Sequence, residues 1–235
     1  MNLYYFPKDK WFDFLSLLEG EYQVYVPTLM KGKGIACKFG LDLPSNDFGL
    51  VKYSSSEKVD FVFNAYRPAE PIKTFFTYPK EKLVLKKEKF AIIGVKNCDL
   101  FSLKIQDYVF LEGIITDPFY KERRDNSLIV SSDCTAFKEV CFCLALDIKP
   151  YPKDGFDINL SSLDDGFVVE TASLKGEEIV KKGKDIFSLA TNEQIMKRLE
   201  KRELFSERLI KHIGIHDIPK KEILQKMVKE GFNES

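Results

Sequence analysis

Two short apolar runs, residues 91–95 (AIIGV) and 127–130 (SLIV), each end at a polar residue, Lys96 and Ser131. Runs of that length predict strands buried on both faces, the pattern of a parallel sheet covered by helices. Between them Leu100, Leu103, Ile105, Val109 and Phe110 recur at roughly helical spacing, so residues 90–143 read as strand, helix, strand. Asn97 and Asp133 mark the turns where the two strands stop. If the strands are parallel, the crossover through residues 100–111 is expected to be right-handed.

The flanking patterns extend this picture. Trp11, Phe14, Leu15 and Leu18 form an apolar stripe at offsets of three and four, predicting a helix over residues 10–18 that Gly20 ends. Residues 22–27 alternate like a strand, and Lys31-Gly32-Lys33-Gly34 is a turn before a further run at 35–39. The Lys-Gly pairs lack the GKS or GKT ending of a phosphate loop, so a hairpin turn is the reading. Residues 59–64 predict another strand, 66–71 a proline-fixed loop and 73–79 an extended aromatic segment. Arg67, Glu70 and Lys73 read as local ion pairs on a solvated loop.

Further on, residues 156–160 and 166–171 predict a hairpin around Asp164-Asp165-Gly166. Asp154, Asp157, Asp164 and Asp165 lack the spacing of a calcium loop and read as turn residues. Beyond Ser173 the pattern turns helical, at 177–182, 192–213 and 219–229. Asn192 is the expected cap of the long helix, and Ile195, Leu199, Phe205 and Leu209 its narrow apolar stripe. The expected fold is α/β, with a central mixed or mostly parallel sheet, flanking helices and a helical C-terminal segment. It divides into an α/β domain at 1–185 and a helical connector at 186–235.

Charge and composition narrow the functional classes. The 235 residues carry 36 Lys plus Arg against 36 Asp plus Glu, so global electrostatics give no support to nucleic-acid binding, although a local basic patch stays open. No stretch of ~18 apolar residues occurs, so no membrane span is expected. The amino terminus lacks a signal-peptide pattern, which makes the cytoplasm the expected compartment. Clustered cysteines there are more often metal ligands or redox groups than structural disulfides.

Four of the five cysteines, Cys98, Cys134, Cys141 and Cys143, are separated by 35, 6 and 1 residues, while Cys37 stands alone as an ordinary buried thiol. Four thiolates suffice for an iron–sulfur cluster or a tetrahedral zinc. A Cys-x-Cys pair on extended backbone points both thiols to one side. Neither the C-x-x-C pairs of zinc ribbons nor the ferredoxin run is present, so metal ligation and buried reduced thiols both remain open from spacing. Asp117 and Pro118 read as the cap and first residue of a helix, with Arg123 and Arg124 in ion pairs at its start. No Gly-x-Gly-x-x-Gly occurs, so no dinucleotide fold is expected.

The ordered motifs add a resemblance. Gly-Val-x-x-Cys-Asp-Leu at 94–100, Asp-x-x-Tyr-x-x-Arg-Arg at 117–124, Cys-Phe-Cys at 141–143, then GFDINL and SLKG, resemble the family of sulfhydrogenase beta subunits and the A subunit of anaerobic sulfite reductase. The resemblance spans roughly residues 60–185. It implies an electron-transfer subunit of a cytoplasmic multi-subunit oxidoreductase, with one iron–sulfur centre held by Cys98, Cys134, Cys141 and Cys143. Asp99 is then a candidate substitute or outer ligand. It further implies partnership with other redox subunits and with a ferredoxin-like region or subunit that binds two 4Fe–4S clusters. The residues here carry no such ferredoxin motif, so they read as a natural short form or as the part preceding it. The alternative is a non-catalytic assembly module with structural zinc or free thiols. Thiol catalysis by Cys98 at a helix start would need a base, and the two histidines, His212 and His216, lie far off in the chain.

Overall fold

The computed structural model describes residues 3–29, 48–56, 67–68, 71–77 and 88–214. In chain order these form β1 (Leu3–Pro7), α1 (Trp11–Glu19), β2 (Gln23–Leu29), β3 (Phe48–Lys52), β4 (Phe90–Val95), α2 (Asn97–Phe110), α3 (Pro118–Asp125), β5 (Ser127–Ser132), β6 (Ile158–Ser162), β7 (Gly166–Thr171), α4 (Leu174–Lys182), β8 (Ser188–Leu189) and α5 (Asn192–Ile213). The strands make one mixed sheet in the order β3-β2-β4-β5-β6-β7-β1-β8. β2, β4, β5 and β6 run parallel at its centre, and antiparallel strands complete both sides.

Every residue of β4 and β5 is buried, as strands covered on both faces must be. Ala91, Ile93, Leu128 and Val130 face one core, where α1 and α4 contribute Phe14, Leu15, Leu18, Ile179 and Val180. Phe90, Ile92 and Ile129 face the other, beneath Leu100 and Leu103 of α2 and Tyr120 of α3. The alternation is the two-residue period of a strand, and each fully buried aliphatic or phenyl side chain contributes ~1.5–3 kcal/mol. Phe6, Trp11, Phe14, Phe167 and Phe187 crowd together in the first core, with the Phe6 and Phe167 rings 5.0 Å apart.

Gly94 breaks the β4 register between Ile93 and Val95. Its φ is +83°, and a Cβ there would lie 3.0 Å from Cγ of Pro27 on β2. Glycine therefore accommodates both the irregular register of β4 and the close approach of Pro27.

Some expected elements differ. Residues 72–75 close a short 3-10 turn in place of an extended segment. Pro71 fixes the entry, and Thr74 Oγ1 and Thr77 Oγ1 donate back to the carbonyls of Pro71 and Lys73. The turn puts Ile72 and Phe76 together in the core. The cap of α5 is Thr191 rather than Asn192. Thr191 and Gln194 exchange side-chain-to-backbone bonds, the reciprocal capping box. Phe205 and Leu209 face inward as expected, but Leu199 is 50% exposed and Arg198 is buried on the inward face of α5. The expected strand at 59–64, the turn and run at 31–39, Cys37, Glu70, His216 and the helix at 219–229 lie outside the described residues.

The recognisable motifs turn out to be joints. Asp117 caps α3 by accepting from the backbone of Phe119 and Tyr120. Arg124 and Tyr120 both donate to Asp107 of α2, and Arg123 Nε donates to the carbonyl of Phe76. In the hairpin, Asp157 accepts from Ile129 N and from Ser173 Oγ, which also caps α4. Gly176 approaches so closely that a Cβ would stand 2.1 Å from the Asp157 carbonyl. Lys175 Nζ donates to the carbonyls of Asp125 and Ser127. Asp117 and Asp157 thus do the structural work expected of cap and turn residues, whereas Arg123 and Arg124 lie in the last turn of α3 rather than at its start, where they reach back to Phe76 and to α2.

Candidate functional site

β4 and β5 are parallel neighbours, so their carboxyl ends open at the same edge of the sheet, where α/β folds build their sites. Lys96, Asn97 and Cys98 follow β4 directly, and Cys98 sits in the first turn of α2. Asp133 and Cys134 follow β5, with the Cys134 N–H held by the carbonyl of Pro150 at 2.8 Å. Asn97 Nδ2 donates to the carbonyls of Lys149 and Tyr151, tying the same return segment to the head of α2.

The loop after Cys134 brings the remaining pair back. Its backbone is not extended at Cys-Phe-Cys: Phe142 has φ −133° and ψ 10°, and Cys143 opens a 3-10 turn over Cys143–Leu146. Local bonds shape this loop. Cys141 N donates to the carbonyl of Lys138, Lys138 N donates to Cys141 Sγ at 3.3 Å, and Ile148 N donates to the carbonyl of Cys143. Despite the bend, Cys98, Cys134, Cys141 and Cys143 all line one cavity of about 480 Å³. All four are free thiols. Among the described residues no three His, Cys, Asp or Glu side chains are gathered to metal-ligand spacing. In type and number the donors fit a thiolate-held iron–sulfur cluster or zinc.

Burial dominates the electrostatics of these thiols, with neighbouring charges adding to it. Burial pushes Cys98 up to about 12, and Asp99, Cys134 and Cys143 add to the shift against the Arg67 charge. Burial likewise pushes Cys134 up to about 12, opposed by Lys96 and reinforced by Cys143, Asp133 and Cys141. Cys143 is raised by burial and by Cys141. These groups hold neutral thiols until something of positive charge joins them, which disfavours a thiolate nucleophile at Cys98.

Lys96 is the residue that sequence reasoning passed over. It is 2% exposed and lines the cysteine cavity. Its Nζ donates to Ser132 Oγ at 2.8 Å and to the Asp133 carbonyl at 3.2 Å, fixing the end of β5 beside Cys134. Burial lowers its pKa against the raising influence of Cys134, Asp133, Cys98 and Asp99. The signal in the sequence is a lysine placed immediately after a fully buried strand, where a solvated charge would not be expected. Asp99 also lines the cavity, and Arg67 stands 3.8 Å from its carboxylate. Burial raises the Asp99 pKa against that charge.

Apolar side chains close the walls: Ile72, Phe137, Ile148, Phe205 and Leu209. Phe101, Ile105, Val140, Phe142 and Leu146 also line the cavity and are exposed on its outer side. His212 does come near the loop, with its ring centroid 4.5 Å from that of Phe137 and Nε2 3.2 Å from the Lys138 carbonyl. It is not among the residues lining the cavity.

Comparison with known proteins agrees with the resemblance carried by the motifs. The chain is 34% identical over 165 residues to "Sulfhydrogenase 2 subunit beta" of Pyrococcus furiosus, a match covering 63% of this chain and 48% of that protein. The similarity supports the sulfhydrogenase beta family, and the matched region spans about half the length of that relative. No family profile matches the chain, and no solved structure matches it. Among the described residues no helix is long and apolar enough to cross a membrane.

Proposed function

We propose that this chain is an electron-transfer subunit, or a domain of one, in a multi-subunit cytoplasmic oxidoreductase of the hydrogenase or sulfur-reductase type, and that Cys98, Cys134, Cys141 and Cys143 hold an iron–sulfur cluster. The observation that carries this reading is the shared cavity: thiols from the ends of two central strands and from a returning loop line one apolar-walled space. The cluster would supply reversible one-electron chemistry, for which soft anionic thiolates are suited donors.

The protein's own residues set the conditions. Cys98 is anchored by the first turn of α2 and Cys134 by its bond to Pro150. Binding requires the thiols to lose their protons, which a cation favours and burial otherwise opposes. Phe137, Phe205 and Leu209 exclude water, while Lys96 holds the end of β5 and places a donor at the wall. The outward apolar residues Phe101, Ile105, Val140 and Phe142 offer a surface for a further redox subunit or a ferredoxin-like region to approach the centre. The terminal chemistry, whether on protons, sulfur or sulfite, would belong to other subunits.

Anaerobically purified protein is expected to contain iron and acid-labile sulfide and to absorb in the visible region. Cys98→Ser and Cys141→Ser should each lower the iron content sharply with circular dichroism unchanged. Colourless protein free of iron would sink the proposal. Stoichiometric zinc lost from the same variants would replace it with the structural-metal assembly module.

A further inference from the structure

A second cavity, of about 440 Å³, shares Cys134 with the first and lies at the carboxyl ends of β5 and β6. Its floor includes Asp133 and Ser161, and α5 forms one side. Crevices outside the carboxyl ends of parallel strands are where α/β proteins bind ligands, and this volume lies within the small-molecule range of ~300–1,000 Å³.

The charge lining it is unbalanced. Lys8, Arg198, Lys201, Arg202 and Arg208 face two lining carboxylates, Asp133 and Asp164. Arg202 clamps Asp133 through two bonds of 2.7 and 2.9 Å, Arg198 pairs with Glu170 behind the wall, and Lys201 pairs with Asp164 at 2.5 Å. Five cations against these three carboxylates leave a surplus of two. The surplus is Lys8, whose Nζ donates to the backbone carbonyl of Asp164, and Arg208, whose guanidinium lies 5.9 Å from the centre of the Phe137 ring. Neither forms a carboxylate ion pair among the described residues. The whole chain has equal numbers of positive and negative side chains, so folding has concentrated this charge. Pro150, Leu163, Leu204 and Phe205 give the same cavity an apolar part, which a bare inorganic ion would leave unfilled.

We propose that this cavity binds a small organic phosphate monoester, its dianionic head attracted by Lys8 and Arg208 and its body lying against Leu163 and Leu204. The surplus charge matches the dianion, and the apolar lining matches an organic body. The site borders the cysteine cavity at Cys134 and Phe205, but the proposed contacts use none of the four thiols.

Calorimetric titration of the purified chain with phenyl phosphate at low ionic strength tests it, with inorganic phosphate as the second arm. One-to-one binding of phenyl phosphate, tighter than that of inorganic phosphate, is expected. Lys8→Gln and Arg208→Gln alter exposed side chains and should each weaken binding about tenfold, the loss of one charge-assisted contact. Lys197→Gln, which removes an α5 cation paired with Glu193 and not lining the cavity, should leave binding unchanged. Absence of binding, or an equal loss in Lys197→Gln, would overturn the site, and equal affinity for inorganic phosphate would overturn the organic body.

Discussion

Replacing Arg124 with methionine tests the joint between α2, which carries Cys98, and α3. Arg124 Nε and Nη2 each donate to Asp107 at 2.8 Å, and Tyr120 Oη donates to the same carboxylate at 2.7 Å. The Arg124 and Asp107 side chains are only 20% and 24% exposed, so solvent screens the pair weakly, and the guanidinium also lies 5.4 Å from the centre of the Phe76 ring. Methionine keeps much of the apolar stem but leaves Asp107 with one donor. A charged hydrogen bond contributes ~1.5–3 kcal/mol, and breaking a fully buried pair costs ~3–5 kcal/mol. For this partly exposed clamp the expected loss is about 2–3 kcal/mol. At this chain length that lowers Tm by roughly 4–12 °C.

The pH dependence supplies a second, signed test. Burial alone would raise the Asp107 pKa, but the bonds from Arg124 and Tyr120 outweigh it and hold the folded value below the ordinary one. A depressed carboxylate stabilises the fold above its unfolded pKa, ~3.9, and that contribution is lost as pH falls through the lower folded value. The gap between wild type and Arg124→Met in urea unfolding should therefore be flat from about pH 7 to pH 5 and shrink below about pH 4. A gap under about 0.5 kcal/mol, within the range of ordinary surface changes, would refute the clamp. So would additive effects of Arg124→Met and Asp107→Asn in a double-mutant cycle.

Three further outcomes are expected. Gly176→Ala forces a Cβ to within 2.1 Å of the Asp157 carbonyl. It should cost about 1–3 kcal/mol by overpacking, and an unchanged Tm would show that α4 can shift freely. Arg202→Met strips the two-bond partner from Asp133, whose side chain is only 10% exposed, and should cost about 3 kcal/mol in denaturant unfolding. A loss below about 0.5 kcal/mol would mean that α5 is not held there. Mild oxidation of metal-free protein should join thiols of the Cys98, Cys134, Cys141 and Cys143 group in pairs, each bond giving two electrons to the oxidant and releasing two protons. Peptide mapping that finds all four still reduced after native oxidation would argue against their proximity.

The strand positions were legible because the local and the global signals coincide. An unbroken apolar run such as residues 91–95 cannot be exposed on either face, so it had to become an inner strand. The place of Cys98 and Cys134 followed from that, since both come immediately after such strands. What spacing could not supply was the path of the loop from Cys134 to Cys143. That path depends on Cys134 N finding Pro150 and on Asn97 reaching Lys149 and Tyr151, contacts between segments far apart in the chain.

The rotation of α5 has a different cause. A stripe drawn from apolar residues alone put Ile195 and Leu199 inward, yet the side chain that is buried in the first half of the helix is Arg198. Arg198, Arg202, Phe205 and Leu209 follow at steps of four, three and four, the spacing of one helix face. Long arginine stems cover apolar surface while their guanidinium groups reach polar partners. Here those partners wait on the sheet: Glu170 and Ser161 for Arg198, and Asp133 for Arg202. Because Asp133 adjoins Cys134, the same face that seats α5 also fixes one wall of the cysteine cavity. The long helix is thereby coupled to the candidate redox centre through a carboxylate.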